Sequence, residues 1–119
     1  MALSRGNCCE APPKRSGVGY DAWGKLIEGT GLQAHHIIEQ RFARLLGMNP
    51  GDMPSVALTR EEHAMFTRLW QQQIGYDKWL SSAIRTSTAS VEDIWRAAQE
   101  VYKDYPTLLE SVKKTLGIP

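Results

Sequence analysis

Directly after the apolar run Val56-Ala57-Leu58 the chain reads Thr59-Arg60-Glu61-Glu62, and that spacing constrains the fold more than any other feature. A hydroxyl at Thr59 can accept from the amide of Glu62, while the Glu62 carboxylate reaches back to the amide of Thr59. Two of the unpaired donors of a helix start are then satisfied together. The reading is a strand over Ser55–Leu58 that gives way to a helix at a defined residue. Met65, Phe66, Leu69 and Trp70 recur at helical spacing, predicting a buried stripe on a helix that runs to about Gln73 and stops at Gly75.

The rest of the chain arranges itself around this junction. Residues 1–19, with Pro12, Pro13, Gly6, Gly17 and Gly19 among polar residues, read as a leader or linker. Tyr20–Ile27 is amphipathic, Gly29-Thr30-Gly31 punctuates it, and Leu32–Ile38 reads as a short strand. Glu39–Leu46 suits a short helix with Phe42, Leu45 and Leu46 on one face and Gly47 as its stop. Asn49-Pro50-Gly51-Asp52 is a turn. Beyond Gly75 a short helix is expected over Tyr76–Ile84, then one from Val91 to about Tyr102 capped by Ser90, with Ile94, Trp95, Ala98 and Val101 in register. Pro106 fits the first turn of a last helix ending near Gly117. The expected fold class is α+β, mostly α: strand, helix, strand, then four helices, as one domain over residues 20–119.

Length and charge narrow the function. A chain of 119 residues has room for one modest core. It has no apolar run of the roughly 18 to 20 residues a membrane span needs. Met1–Asn7 lacks the apolar stretch of a signal peptide, so export would depend on another carrier. With 14 basic against 13 acidic residues the net charge is +1, and no segment is polybasic, so any phosphate-binding surface has to be assembled by folding. Cys8 and Cys9 are adjacent in the leader, too strained to bridge each other and too far from histidine to form a zinc-site spacing. Trp23, Trp70, Trp79 and Trp95 are spaced as core and interface aromatics rather than as base-stacking platforms.

The chemistry lies in three histidines. His35 and His36 are adjacent near the end of the first strand, and His63 falls in the first turns of the helix after the second. If the strands pair as a hairpin and the helix packs across them, the imidazoles converge. Neutral imidazole binds divalent transition metals, and its ordinary pKa near 6.5 lets it accept a proton at neutral pH. Phosphodiester hydrolysis uses both properties. One geometric condition follows. Successive side chains on a regular strand point to opposite faces, so the strand has to bulge, bend or end at the pair.

Ala34-His35-His36-Ile37-Ile38, continued by Glu39-Gln40-Arg41-Phe42 and then by Ser55–Thr59 and Glu61-Glu62-His63, resembles the AHH branch of the HNH and endonuclease VII superfamily, the ββα-metal or His-Me finger nucleases. The likeness spans about residues 30–72. It implies a small HNH-like ββα core over about 30–73 with a helical extension over 76–117. Carried over by position, it makes His35 a metal ligand, His36 the general base, and His63, 27 residues beyond His36, the second ligand. Ser55 stands where relatives often place the Asn that orients the base, and Thr67 where some carry a further ligand. A two-histidine shell completed by water favours loosely held Mg²⁺ or Mn²⁺, with Zn²⁺ or Ni²⁺ as alternatives. Glu39 and Arg41 are candidates to contact metal-bound water and phosphate respectively, although a solvent-exposed pair is at least as good a reading. Arg44, Arg60 and Arg68 are candidates for a phosphate path or for ordinary solvated positions. His63 can also be read as a core-edge residue bonded to a carbonyl.

Many members of that branch are toxin tips of large bacterial polymorphic toxins. The resemblance therefore implies a metal-dependent endonuclease, acting on DNA in preference to RNA in the target-cell cytoplasm. It also implies a larger delivery protein and a cognate immunity protein, with no membrane partner. The alternative is a non-catalytic helical module that keeps the ββα shape to bind DNA or protein. A structural zinc domain is a poor third reading, because it wants four closed ligands.

Overall fold

The computed structural model describes residues 18–77 and 84–119. The leader up to residue 17 with Cys8 and Cys9, most of the helix expected over 76–84, and Trp79 lie outside them. The architecture is α+β and mostly α, a small antiparallel sheet packed by helices.

Three strands form the sheet in the order β1-β3-β2: β1 (Val18–Gly19), β2 (Gln33–His36) and β3 (Pro54–Leu58). Central β3 pairs with β2 in the register Gln33↔Leu58, Ala34↔Ala57, His35↔Val56 and His36↔Ser55. Its other edge takes Val18 opposite Ser55 and Gly19 opposite Pro54. This corrects the leader reading at its last two residues. A two-residue strand has no period to detect, and Gly19 is there for close approach: a Cβ on it would meet the Asp52 backbone at 3.3 Å. The chain then enters α1 (Tyr20–Leu26), whose first amide donates to the Met53 carbonyl at 3.0 Å. Trp23 is fully buried and its indole N–H donates to the Ser55 carbonyl at 3.0 Å, binding α1 to β3.

β2 is shorter than the pattern over Leu32–Ile38 suggested, because the chain bends at Ile37 and Ile38. Both isoleucines are buried, which is what their hydropathy reported. A 3₁₀ turn (Gln40–Phe42) leads into α2 (Ala43–Leu46), closed by Gly47 at φ 66°, a left-handed conformation that glycine adopts without Cβ strain. Leu45 is exposed there, and Ala43 joins Phe42 in the core instead. The shift arises because a 3₁₀ start rotates the face that a uniform α-helix would bury. Asn49 caps a second 3₁₀ turn (Pro50–Asp52), its side chain accepting from the Gly51 amide at 2.9 Å.

The capping box forms as read: the Thr59 hydroxyl accepts from the Glu62 amide and the Glu62 carboxylate from the Thr59 amide. It opens α3 (Arg60–Gln73), with Phe66 and Trp70 fully buried and Met65 and Leu69 packed at the core's edge. Gly75 is not a left-handed stop. The helix ends at an extended Ile74, and Gly75 bridges in parallel to Arg85. α4 (Val91–Val101) begins at a second box, Ser90 with Asp93, and α5 (Pro106–Leu116) begins at Pro106 and is followed by Gly117. Val56 and Leu58 on one face of β3 join Phe66, Trp70, Ile94, Tyr102, Leu108 and Val112 in one core. The C-terminal helices thus complete the hydrophobic interior. No helix among the described residues is long and apolar enough to cross a membrane.

Replacing Thr59 by Ala removes the acceptor at the start of α3, and we expect a loss of about 1 kcal/mol in unfolding free energy. Urea denaturation followed by tryptophan fluorescence measures it; an unchanged midpoint would mean that the box carries no stability.

Candidate active site

His35 and His36 are the last two residues of β2, and both stay in the ladder. They therefore leave opposite faces of the sheet. His35, opposite Val56, turns toward the helices, and its ring packs at 5.6 Å from Phe66 and edge-on at 5.1 Å from His63. His36, opposite Ser55, turns toward α1, where Tyr20 stacks on it at 4.0 Å with the planes 10° apart. The strand ends and bends immediately afterward, so a cavity at its end borders both rings. That cavity, of about 410 Å³, is lined by all three histidines together with Tyr20, Glu39, Arg41, Thr67 and Tyr76 among others. The pair itself keeps regular ladder register, and the strand ends directly after it.

His35 is 2% exposed. Its Nε2 lies 3.0 Å from the hydroxyl of Tyr102, at the end of α4. That hydroxyl donates to the Ile37 carbonyl at 2.6 Å and accepts from the Trp70 indole N–H at 3.1 Å. Burial, with His63 and His36 adding repulsion, pushes the His35 pKa down to about 3. Burial also lowers the pKa of half-buried His63. Both imidazoles are therefore neutral at physiological pH, the state in which imidazole binds metal.

On the other face, His36 Nε2 lies 3.0 Å from the Pro50 carbonyl. A carbonyl only accepts, so Nε2 carries a proton, and a neutral ring would then have its lone pair on Nδ1. That carbonyl belongs to the turn that Asn49 caps. Ser55, the position aligned for orienting the base, has other bonds. Its hydroxyl donates to the Met53 carbonyl at 3.0 Å and its own carbonyl accepts from Trp23. Ser55 faces His36 across the ladder, which is why alignment selected it, but a short hydroxyl in a β-pair bonds locally.

Arg41 forms the ion pair with Glu39 that was the alternative to a phosphate contact, though half-buried rather than solvent-exposed. Its Nε donates to Glu39 at 2.8 Å, and its terminal nitrogens donate to the carbonyls of Ile74 and Gly75 and to the Thr86 hydroxyl. The guanidinium lies over the rings of Phe42 and Tyr76 as well. Four of its five N–H groups are committed, so it ties the 3₁₀ turn to the chain beyond α3 rather than waiting for phosphate. Glu39 is its partner, with a carboxyl pKa raised by burial against the opposing pull of Arg41. Arg44, Arg60 and Arg68 are exposed and outside the cavity lining. Trp23 and Trp70 are buried core residues, as their spacing indicated.

His35 and His63, whose rings meet edge-on, are the pair of side chains that could hold a divalent cation, and Thr67 shares their cavity. Two adjacent neutral imidazoles fit an ion whose other positions are filled by water and substrate oxygens. No group of three or more His, Cys, Asp or Glu that could hold a metal ion forms among the described residues, so a cation here would have two protein side-chain ligands of these types. Sequence reasoning missed Tyr102, Tyr20 and Pro50. Tyr102 is 67 residues from His35 in the chain, and no local pattern signals such a contact. No family model matches this chain, and no curated protein or solved structure shows significant similarity to it.

The depressed histidine pKa has a consequence for stability. The unfolded chain takes up a proton at His35 near pH 6.5, while the folded chain does so only near 3. Between those values the unfolded state binds more protons, so stability falls as pH is lowered through the window. His63 adds to the same slope. Urea midpoints of the metal-free protein should decline from about pH 7 to about pH 5, above the range of ordinary carboxylates; a flat profile there would contradict the buried, neutral assignment.

Proposed function

We propose that this chain is a metal-dependent endonuclease of the ββα-metal type, hydrolysing phosphodiester bonds, with DNA as the first substrate to test. The observation that carries the reading is the meeting of His35, His36 and His63 at one cavity, with the Nε2 nitrogens of the first two engaged by protein groups. A divalent cation held by His35 and His63 would neutralise charge on the scissile phosphate and on the departing oxygen. His36 would take a proton from the attacking water at Nδ1, its ring held by the Pro50 carbonyl and by stacking on Tyr20. The water oxygen bonds to phosphorus, the bond to the 3′ oxygen breaks, and that oxygen collects a proton from solvent. The products are a 5′-phosphate and a 3′-hydroxyl, with no covalent intermediate.

The likeness to the AHH branch extends the proposal to a bacterial toxin domain carried by a larger protein and neutralised by an immunity protein. That extension rests on the motif alone. The second reading, a non-catalytic binding module of the same shape, is favoured by one observation: Arg41, the Lys or Arg that lines the cavity among the described residues, is consumed by internal hydrogen bonds.

Plasmid cleavage separates the two readings. With Mg²⁺, Mn²⁺ or Zn²⁺ the protein should nick supercoiled DNA, EDTA should abolish nicking, and His36→Ala should slow it by about 10² to 10⁴-fold, the usual contribution of a positioned base. Intact plasmid in every lane, from protein shown to be folded, would favour the binding module.

A further inference from the structure

We propose that Tyr102 is a positioning residue for His35, its hydroxyl fixing His35 as the Nε2–H tautomer so that Nδ1 is the nitrogen offered to a divalent cation. The inference rests on the metal-site reading above and adds to it a residue from the helical extension. A tyrosine hydroxyl has one proton and two lone pairs. The Ile37 carbonyl can only accept, so the proton goes there, across the shortest of the contacts at 2.6 Å. The Trp70 indole can only donate, so one lone pair receives it at 3.1 Å. What remains facing His35 Nε2, 3.0 Å away, is the other lone pair, and the proton between them has to come from the imidazole. The opposite tautomer would set two lone pairs against each other.

Tyr102, Trp70 and Ile37 are each at most 1% exposed, so water does not compete for these bonds and the network acts as a unit. Each partner comes from a different part of the fold: Ile37 just beyond β2, Trp70 from α3, and Tyr102 from the end of α4. The hydroxyl therefore makes the orientation of His35 depend on α4 being docked.

Long-range ¹H–¹⁵N spectra of the metal-free protein read the histidine tautomer directly, and calorimetric titration with Zn²⁺ reads affinity. In the unmodified chain His35 should appear as Nε2–H. Tyr102→Phe should lose that bias and bind Zn²⁺ about 10 to 100-fold more weakly, the usual cost of removing a hydrogen bond behind a metal ligand. Trp70→Phe perturbs the same core and hydroxyl but leaves the contact to His35, so it should keep both the tautomer and the affinity. The proposal is overturned by an Nδ1–H His35 in the unmodified chain, or by a folded Tyr102→Phe with unaltered tautomer and affinity. If Tyr102→Phe does not fold, the spectrum of the unmodified chain decides. Absence of Zn²⁺ binding with an Nε2–H His35 would overturn the metal-site reading, a failure distinct from failure of the positioning contact.

Discussion

The geometry of the candidate site depends on the end of β2, where two consecutive side chains leave opposite faces of a sheet and still border one cavity. Alternation along a strand sends His35 toward the helices and His36 toward α1. Had the ladder continued, the two rings would have been walled off from each other by the sheet itself. The bend at Ile37 and Ile38 stops it, and burial of those isoleucines holds the bend in place. The requirement is one of backbone geometry first, and the chemistry of the imidazoles is built on it.

Burying polar rings beside one another is costly unless each finds a partner. The fold supplies a different one on each face. On the helix side it is a tyrosine hydroxyl already committed to Trp70 and Ile37; on the α1 side it is a turn carbonyl and a stacked tyrosine ring. Both arrangements select the Nε2–H form. The C-terminal helices therefore do more than fill the core, since α4 ends on the residue that meets His35. Arg41 shows the opposite use of a polar group near the cavity: its forked donors meet the carbonyls of Ile74 and Gly75, just beyond the end of α3.

What the sequence made legible was local. The box at Thr59 and Glu62, the cap at Ser90, the stop at Gly47 and the entry at Pro106 all rest on interactions within a few residues, and each formed. The three histidines could be brought together because a hairpin followed by a helix leaves few other arrangements. Illegible were contacts set by packing between distant segments. Ser55 occupied the aligned position, yet the carbonyl that reaches His36 belongs to Pro50, five residues earlier, because the turn there folds over the end of the strand. Arg41 looked available since nothing adjacent in sequence announces the carbonyls of Ile74 and Gly75. Leu45 was placed on the buried face by assuming one uniform helix, and the 3₁₀ start moved that face to Ala43.

The most direct test of the central claim is the anomalous diffraction of crystals soaked in Mn²⁺. The account predicts one ion between His35 and His63, ligated by Nδ1 of His35, with His36 outside its coordination sphere. Crystals that diffract well and show no ion there, or that place it on His36, would contradict the division of the three histidines into two ligands and a base.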